Sequence, residues 1–365
     1  MLQRKKKFLI IGQTPPPYGG QSINIERMLK AFDNNSIEYR LIRMNFSEEM
    51  NENGKASSKK VIKLFSLMLS LIKQLIFYRP DYVYYPPSGP EFVPVVRDFA
   101  LLSIIRVFGK KIIFHFHAGG LPEIYPNLNG FLKKVFNFCY RKSEYAICLN
   151  IAGTKDPKFL DTKNIVIIPN GADDLLEFKS FDSDDFFKIL FVGVCRESKG
   201  IVDFVEIIEK ARIINPMIKG IVVGKIFSDK ERLTLDKSIE NGSIQYLGIL
   251  TGNDKNYQFG KSDAFLFPTF FEHENFPTVI LEAFSCSLPV ISTRWRGVID
   301  QISQGVNGYL IDVHDIEKAS EYVVALSKDS ELYRKMSINA RKSFEENYSI
   351  LKFEKNIIHF FKEIL

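Results

Sequence analysis

Short apolar runs alternate along the chain with longer stretches that have the pattern of helices. Because each run is apolar throughout, it indicates a strand buried on both faces of a parallel sheet. Strands are predicted at 7–12, 81–87, 110–117, 145–150, 164–171, 187–193, 219–224, 244–249, 264–269, 289–293 and 308–312. In the first half, helices are predicted at 21–32, 59–78, 94–108 and 130–142. The pattern predicts an α/β fold with helices on both faces of each sheet.

A polar and acidic segment at 172–186 interrupts this pattern. The 365 residues of the chain are more than one compact core usually holds, so we interpret the segment as a linker between two αβα units. The predicted domains are 1–172 and 173–349. The remaining segment, 350–365, is amphipathic and predicts a helix that must bury its aromatic face.

Composition narrows the class of protein. Hydrophobic residues make up 45% and charged residues 25%, as in ordinary soluble globular proteins. No uninterrupted apolar run reaches about 18 residues, so no transmembrane helix is expected. Four cysteines are scattered in apolar surroundings without a CxxC pair, which indicates core packing in a reducing cytosol. They are Cys139, Cys148, Cys195 and Cys286.

The charge is uneven along the chain. Residues 1–170 contain 25 Lys and Arg against 13 Asp and Glu, a balance of +12, and the remainder contains 24 against 30, a balance of −6. This asymmetry indicates that the two halves meet different partners. Chance variation between two surfaces is the alternative.

In open parallel sheets, ligands bind beyond the carboxyl ends of the strands, so we searched the segments that follow strands. Gly19 and Gly20 follow the first strand and lead into a helix predicted near Ser22. Glycines allow close backbone approach, and a helix N-terminus favours an anion. His117 ends a strand before two glycines and shares one strand face with His115. A plain turn and a structural histidine are the alternatives.

Arg196 and Lys199 follow the strand that ends at Gly193. Two cations before a helix predict a diphosphate clamp. A solvated loop with surface charges is the alternative.

Two glutamates, Glu274 and Glu282, lie in the segment ENFPTVILEAFSCSLPVI (274–291). Pro277 suits the first helical position, so a helix is predicted to start there, with Glu282 in its second turn. A carboxylate accepts two hydroxyls well, as on a ribose, and the amides at the helix start can hold a phosphate or a base edge. An internal partner for Glu282 is the alternative. The predicted donor-binding residues here are Asn275, Phe276, Pro277, Thr278, Val279 and Glu282.

Taken together, these motifs resemble family 4 of the retaining glycosyltransferases, which have the GT-B fold. The resemblance covers nearly the whole chain. Its strongest part is the Glu-x7-Glu pattern from Glu274 to Glu282, followed by AFSCSLPVI, where the family commonly has EAMA-x-G-x-PVI. Further motifs in family order are IIPNGAD (167–173), FVGVCRESKGI (191–201), AFLFPTFFE (264–272) and GVNGYLID (305–312).

The resemblance implies two Rossmann-like domains that face each other across a cleft. The acceptor would bind to the N-terminal domain and the nucleotide-sugar donor to the C-terminal domain, and helix 350–365 would pack back onto the first domain. Glu282 would bind the ribose and Glu274 the hydroxyls of the donor sugar, while Lys199 would bind the diphosphate. His117 would lie near the reacting sugar, so His117 and Glu274 form the predicted catalytic pair. Gly19 and Gly20 would line the cleft beside the phosphates.

The activity implied is a hexosyltransferase that retains configuration and needs neither a cofactor nor a metal. A UDP- or GDP-linked sugar would be moved to a glycan or lipid-linked acceptor, in the biosynthesis of a surface polysaccharide such as a capsule or an O-antigen. The expected location is the cytoplasm, with possible attachment to the inner face of the cell membrane, and no nucleic-acid partner is expected. An epimerase of the same fold and an inactive nucleotide-binding subunit are the alternatives.

Two departures from the family pattern concern the donor site. The family usually has an arginine directly after the glycine of FVG; this chain has Val194 there and Arg196 two positions later. Ser287 replaces the usual glycine before Leu288-Pro289. A DxD-like triplet at 182–184 lies in the linker, and we interpret it as solvated charge.

Two basic amphipathic segments of the first domain, 59–79 and 131–142, are candidates for docking on an anionic membrane surface. Segment 59–79 precedes a strand, so we expect it to cover the sheet with its lysines in water. Segment 131–142, with Lys133, Lys134, Arg141 and Lys142, is therefore the preferred docking helix.

Overall fold

The computed structural model describes residues 6–16, 19–46, 58–179 and 185–365. The triplet at 182–184 lies outside these residues. The chain forms two compact units: unit 1 is Met1–Pro169 with Phe353–Leu365, and unit 2 is Asn170–Lys352. The predicted boundary at 172 and 173 lies close to the observed division.

Unit 1 contains a parallel sheet that has six strands within the described residues, in the order β2-β1-β3-β4-β5-β6. The strands are β1 Phe8–Gly12, β2 Tyr39–Arg43, β3 Tyr82–Tyr85, β4 Lys111–Phe116, β5 Tyr145–Cys148 and β6 Asn164–Ile167. The helices are α1 Gly20–Asn34, α2 Ser58–Lys73, α3 Phe92–Val107, α4 Leu121–Ile124, α5 Gly130–Tyr140 and α6 Lys155–Phe159. A π-helical turn, Gln74–Tyr78, continues α2.

Unit 2 repeats this architecture, with six described strands in the order β12-β11-β10-β7-β8-β9. All neighbours are parallel; β10 and β7, for example, pair Ala264 with Ile189. The strands are β7 Phe187–Val192, β8 Ile218–Val223, β9 Ile244–Tyr246, β10 Ala264–Phe267, β11 Val290–Thr293 and β12 Gly308–Ile311. The helices are α7 Ile201–Ile214, α8 Asp229–Glu240, α9 Gly252–Gly260, α10 Thr278–Ser285, α11 Ile316–Lys328 and α12 Ser330–Ser343; α13 Ile350–Glu363 follows them.

The core of unit 1 lies on both faces of its sheet, because successive strand residues point to opposite sides. Leu9 and Ile11 pack in one cluster with residues of α2, α3 and α5. Phe8 and Ile10 pack in the other cluster with residues of α1 and α13. The amphipathic segment at 350–365 therefore buries its aromatic residues on the sheet of unit 1.

The apolar pattern located the strands well, with one exception. Strand β2, Tyr39–Arg43, escaped prediction because it is an edge strand that pairs with β1, and of its five residues only Ile42 is buried. Its sequence, YRLIR, therefore lacks the continuous apolar run that marks the central strands.

The sequence predicted no membrane-spanning helix, but one helix of the described residues meets the requirements of length and composition. Lys60–Tyr78 is long enough and apolar enough to cross a membrane, by length and composition only. The sequence criterion missed it because lysines and serines interrupt the apolar residues. Only 22% of this segment is buried.

Candidate functional site

In the sheet of unit 2, the order in which strands are added reverses between β7 and β10. The chain continues from β7 to β8 on one side and from β10 to β11 on the other, and β7 and β10 are neighbours. Ligands of open α/β sheets bind beyond the carboxyl ends of the strands at such a switch point. Lys199 follows β7 and Glu274 follows β10, so the topology brings these two predicted residues to one edge of the sheet.

Gly200 lets the segments after β7 and β10 approach each other. It has a left-handed backbone conformation, with φ of 86°, between the short 3-10 turn Glu197–Lys199 and helix α7. A Cβ atom at Gly200 would lie 2.2 Å from the carbonyl oxygen of Pro268. The amide of Phe270 donates a hydrogen bond to the carbonyl of Ser198, at 2.8 Å. Glycine is therefore required at 200 on steric and conformational grounds.

Lys199 and Glu274 form an ion pair through Nζ and Oε2. Their side chains are 21% and 10% exposed, so the pair is largely shielded from water. Thr269 donates from Oγ1 to the same carboxylate oxygen at 3.4 Å, and Lys199 Nζ lies 4.4 Å from the centre of the Phe271 ring. An ammonium group has three donors, and this carboxylate uses one of them.

Arg196 lies at the same aromatic ring as Lys199. Its guanidinium is 4.5 Å from the centre of the Phe227 ring and 5.8 Å from that of Phe271. Val194, which takes the position where the family usually has arginine, is 43% exposed. The structure thus places the displaced arginine beside the lysine, although it comes two positions later in the chain.

Glu282 is only half satisfied within the protein. Its Oε1 accepts a hydrogen bond from Lys255 Nζ of α9 at 2.8 Å, which meets the alternative of an internal cationic partner. Its Oε2 is buried and has no hydrogen-bond partner among the described residues. A buried acceptor without a partner costs about 1–3 kcal/mol, so Oε2 is an acceptor available to a ligand hydroxyl.

Helix α10 has its N-terminus near Glu282. The helix begins at Thr278, and Pro277 is its N-cap residue rather than the first helical residue as predicted. The proline side chain makes no capping hydrogen bond, and the first turn contains no acidic residue. Glu282 lies in the second turn, as predicted. The positive end of the helix dipole favours an anion at Thr278 and Val279.

The other predicted residues around α10 differ in burial and therefore in which of their atoms a ligand could contact. Asn275 is half-buried, whereas the Phe276 side chain is buried, with its ring centre 6.0 Å from that of Tyr348. Phe276 therefore packs in the core, and a ligand would meet its backbone. Ser287 follows α10 with φ of 62°, so serine adopts here the left-handed conformation for which the family uses glycine.

His117 lies directly after β4 in unit 1, stacked on His115 as the strand period predicted. The two ring centres are 4.0 Å apart, and His115 Nδ1 is 2.7 Å from the Tyr84 hydroxyl. Burial lowers the pKa of His117 to about 3. Burial also holds the pKa of His115 well below its ordinary value, and repulsion from His117, when that ring is protonated, acts in the same direction. His117 is thus a neutral imidazole at physiological pH.

The loop after His117 is held by a carboxylate. Asp156 Oδ2 accepts hydrogen bonds from the amides of Gly120 and Leu121, each at 2.9 Å. Gly120 has φ of 111°, which glycine tolerates best. The conformation of the loop next to His117 is therefore set by Asp156.

Gly19 and Gly20 lie at the switch point of unit 1, after β1. Helix α1 begins at Gly20 with Gly19 as N-cap, two residues before the predicted start near Ser22. Ser22 Oγ accepts from the Gly19 amide at 3.0 Å, and no atom of the described residues lies within 4 Å of the position of a Cβ at Gly20. Gly20 is exposed among these residues.

Three residues that contact predicted site residues or their loops, two in unit 2 and one in unit 1, had no signal in the sequence. Lys255 is one lysine in a polar helix, Thr269 is one threonine after a strand, and Asp156 precedes a proline in a short helix. Each acquires its role only through a partner distant along the chain, so a linear pattern does not reveal it.

Comparisons with known proteins agree with this architecture. The family model described as "Glycosyl transferases group 1" matches residues 173–343. The chain is 24% identical to the capsular polysaccharide biosynthesis glycosyltransferase CapM of Staphylococcus aureus over 311 residues, 80% of each chain. It is 30% identical to the N-acetyl-alpha-D-glucosaminyl L-malate synthase of Bacillus anthracis over 47% of this chain and 44% of that relative. The solved structure of Anabaena Alr3699/HepE in complex with UDP is similar, with a TM-score of 0.73 at 14% identity, over 98% and 100% of the two chains.

Proposed function

Since residues 173–343 match the glycosyl transferases group 1 family, we propose that the protein moves a hexose from a nucleoside-diphosphate sugar to a glycan or a lipid-linked acceptor. The proposed reaction retains the anomeric configuration and needs no divalent cation. The proposed process is the biosynthesis of a surface polysaccharide, by analogy with the capsular relative from Staphylococcus aureus.

One observation carries the proposal: two cations and a carboxylate oxygen that lacks a hydrogen-bond donor within the described part of the chain lie after the strands at the switch point of unit 2. Lys199 and Arg196 lie at the Phe271 ring, and the buried Oε2 of Glu282 lacks a partner among the described residues. A nucleoside diphosphate has two phosphates for the cations and ribose hydroxyls for the carboxylate. The neighbour solved with UDP supports a ligand of this class.

In this proposal, each residue of unit 2 acts on one part of the donor. Lys199, Arg196 and the N-terminus of α10 stabilise the charge that develops on the diphosphate when the bond to the sugar breaks. Glu282 accepts from the ribose, and Glu274 accepts from hydroxyls of the transferred sugar. Lys199 can donate to a phosphate while it keeps its contact with Glu274, because an ammonium group has three donors.

The residues of unit 1 belong to the proposal on the resemblance alone. His117, as a neutral imidazole, would form a hydrogen bond, as donor or acceptor, with a hydroxyl near the reacting carbon. Gly19 and Gly20 would allow close approach of the backbone to a phosphate. The same unit would bind the acceptor.

The test begins with a panel of UDP- and GDP-sugars screened for thermal stabilisation. A ligand at 100 times its dissociation constant adds about 2.7 kcal/mol to the free energy of unfolding. The sugar that stabilises the chain is then incubated alone, with candidate acceptors, and with EDTA. We expect slow release of free sugar without acceptor, transfer with acceptor, and rates unchanged by EDTA.

The other outcomes separate the alternatives. Conversion of the donor to another sugar nucleotide without acceptor would identify an epimerase. Binding without hydrolysis or transfer, over the whole panel of acceptors, would identify an inactive nucleotide-binding subunit. Inversion at the anomeric carbon, read by NMR of the product, would contradict the retaining mechanism.

A further inference from the structure

The outward face of α2 in unit 1 is apolar, although it is not covered by any described residue. The buried stripe of this helix, which includes Leu67 and Leu71, packs in the cluster with the sheet. The opposite stripe contains Ile62, Phe65 and Leu69, which are 70%, 61% and 69% exposed. A surface helix normally has polar residues on this face. Helix α2 is therefore apolar on both sides, and one side meets solvent.

The apolar surface extends beyond α2. The π-helical turn that continues the helix exposes Phe77 by 76%, and α3, which packs beside α2, exposes Val93 and Val96. Exposed apolar residues scattered singly are common, but contiguous ones mark an interaction site. We call the outward faces of α2, its π-helical turn and the first turns of α3 the apolar face.

The charges on α2 and its π-helical turn are all positive. Lys63 and Lys73 are exposed on α2, and Arg79 follows the π-helical turn. No residue in 58–79 is acidic, and Asp98 of α3 is fully buried among its hydrogen-bond donors. Glu91, the N-cap residue of α3, is an exposed carboxylate at the far end of the face, so the cations are concentrated on α2 and its π-helical turn. Exposed apolar side chains with cations and without carboxylates, as on α2, complement a surface that is apolar inside and anionic outside.

The helix is placed to lie on such a surface rather than to cross it. Leu67, Leu71 and Leu75 pack in the same cluster as Leu9 and Val83 of the central strands, so α2 runs along the sheet of a folded domain. In addition, Lys63 and Lys73 are about 15 Å apart along the helix axis, and a spanning segment would place them in the hydrocarbon layer, which is about 30 Å thick.

We propose that the apolar face of unit 1 docks the protein on an anionic lipid bilayer, with the outward side chains of α2 at the level of the acyl chains and Lys63 and Lys73 at the headgroups. This inference does not depend on the sugar that is transferred. It reverses the order of the two candidate helices that the sequence favoured, in which 131–142 came first.

Helix α5 is the weaker candidate because two of the four cations of segment 131–142 are engaged inside unit 1 and its outward face is less apolar. Lys133 Nζ donates to the carbonyl of Pro126 at 3.0 Å, and Arg141 pairs with Asp161. Its exposed apolar residues on the outward stripe, Phe131 and Phe138, are separated by Lys134. The outward face of α5 thus offers less apolar surface than that of α2.

Co-sedimentation of the full chain with vesicles tests the proposal. We expect binding to vesicles of phosphatidylcholine with phosphatidylglycerol, weaker binding to phosphatidylcholine alone, and a decrease with salt. The double variant Phe65→Ser/Leu69→Ser should lower partitioning about tenfold or more, because two apolar side chains lose their burial. Lys63→Gln/Lys73→Gln should lower it several-fold and reduce its dependence on salt.

The matched control is Ile213→Ser/Leu233→Ser in unit 2, where the two residues are 83% and 65% exposed. This variant should bind vesicles like the wild type, and all variants should keep the wild-type unfolding temperature. Equal binding to neutral and anionic vesicles, or an equal loss in the control, would overturn the proposal. A wild-type dimer that the α2 variant abolishes in the absence of lipid would overturn it too, because a second copy would then cover the face.

A second readout reports insertion directly. Trp295, the one tryptophan of the chain, sets the baseline for quenching by brominated acyl chains in the wild type. Phe65→Trp should add a fluorescence signal that these lipids quench, whereas Leu233→Trp should add one that they do not. Absence of quenching at position 65 in vesicle-bound protein would overturn the orientation of α2.

Discussion

The two oxygens of Glu282 have different surroundings, although they belong to one carboxylate. Oε1 is paired with Lys255, and Oε2 is buried without a partner among the described residues. A ligand hydroxyl at Oε2 would recover the cost of that burial, whereas one at Oε1 would first have to displace an ammonium group. The carboxylate therefore offers acceptor capacity to a ligand on one side, at Oε2.

The two glutamates should separate by function when each is replaced by alanine. Glu282→Ala should weaken the binding of the nucleoside diphosphate by about 1.5–3 kcal/mol, since a charge-assisted hydrogen bond is lost. Glu274→Ala should leave this affinity nearly unchanged or raise it, because Lys199 loses its competing partner, but it should depress transfer. Calorimetric titration and a transfer assay measure the two effects.

Lys255→Ala provides the control for Glu282, because it removes the partner of Oε1 and leaves Oε2 in place. We expect it to affect nucleotide affinity less than Glu282→Ala. Equal losses of affinity in Glu282→Ala and Glu274→Ala, or no loss in either, would contradict the assignment of the two carboxylates.

His117 should make the stability of the protein depend on pH in the acid range. Its pKa is about 3 in the folded chain, against an ordinary value of 6.5. Between these values the unfolded chain binds a proton that the folded chain does not, so stability is complete above pH 6.5 and falls as the pH falls toward 3. His117→Asn should make this decline shallower, by up to about 1.4 kcal/mol per pH unit.

Thermal unfolding from pH 7 to pH 4 measures this slope. His359→Gln is the control, because its side chain is 73% exposed and belongs to the same unit. A slope that His117→Asn leaves unchanged would show that the imidazole gains a proton in the folded protein.

At the scale of residues, the sequence selected candidate site residues but not the residues that they contact. Glu274, Glu282 and Lys199 could be selected because each follows a strand or begins a helix, and such positions are local properties. Their partners could not, because Lys255 lies on a different helix, and the pairing of Lys199 with Glu274 depends on the contact between two loops. The order of neighbouring strands decides these contacts, and it is not a local property.

At the scale of elements, the turn between β7 and α7 depends on one glycine. Gly200 combines a left-handed backbone with a close approach to the Pro268 carbonyl, and Lys199 precedes it directly. A change at Gly200 would therefore be transmitted to the ammonium group through the backbone.

Gly200→Ala should destabilise the protein and weaken nucleotide binding together. The left-handed conformation alone costs alanine roughly 1–2 kcal/mol, and the contact with Pro268 adds to this. Gly242→Ala is the matched control, because Gly242 has φ of 76° and no atom within 4 Å of the added Cβ. It should lose stability through the backbone alone and bind nucleotide normally, as measured by chemical denaturation and calorimetry. An equal effect of both changes on nucleotide affinity would contradict the steric argument.

Element prediction succeeded where burial was uniform and failed where it was mixed. The central strands are apolar throughout, whereas β2 alternates arginine with apolar residues at the edge of its sheet. For 59–79, the pattern correctly predicted a helix that covers the sheet with its lysines in water, but it did not predict the second, exposed apolar face. A helix that is apolar on two sides gives no linear signal of which side meets the core.

At the scale of the whole molecule, unit 1 is discontinuous in sequence, because two separate segments of the chain form it. Unit 1 contains Met1–Pro169 and Phe353–Leu365, with unit 2 between them in sequence. The returning segment contributes Phe353, Ile357 and Phe361 to one of the two core clusters of unit 1. The stability of unit 1 therefore depends on residues that follow unit 2.

Phe361→Ala should destabilise unit 1 by about 3–5 kcal/mol, as expected for a buried aromatic residue. The Phe361 ring is fully buried, with its centre 4.6 Å from that of Phe32 and 5.1 Å from that of Phe8. Leu351→Ala on the same helix is the control, because Leu351 is 78% exposed. Denaturant unfolding followed by circular dichroism should show the shift, and the fluorescence of Trp295 in unit 2 should shift less. Equal shifts for the two variants would contradict the role of α13 in this core.

The sequence predicted two α/β domains and an amphipathic terminal helix because repeated strands and helices, a polar interruption and an aromatic stripe are visible in one dimension. The sheet on which the aromatic stripe packs came from the family resemblance, since an apolar stripe fits either sheet. The roles of the two units, acceptor binding and donor binding, stay predictions.

The return of α13 to unit 1 sets an order on synthesis at the ribosome. The sheet face formed by Phe8, Ile10 and Tyr82 stays without α13 until residues 170–352 have been translated. At a translation rate of about 5–20 residues per second, this delay lasts roughly 10 to 40 s. Throughout it, the nascent chain exposes aromatic residues that the finished protein buries, so the first half of the polypeptide reaches its native core only after the second half has been made.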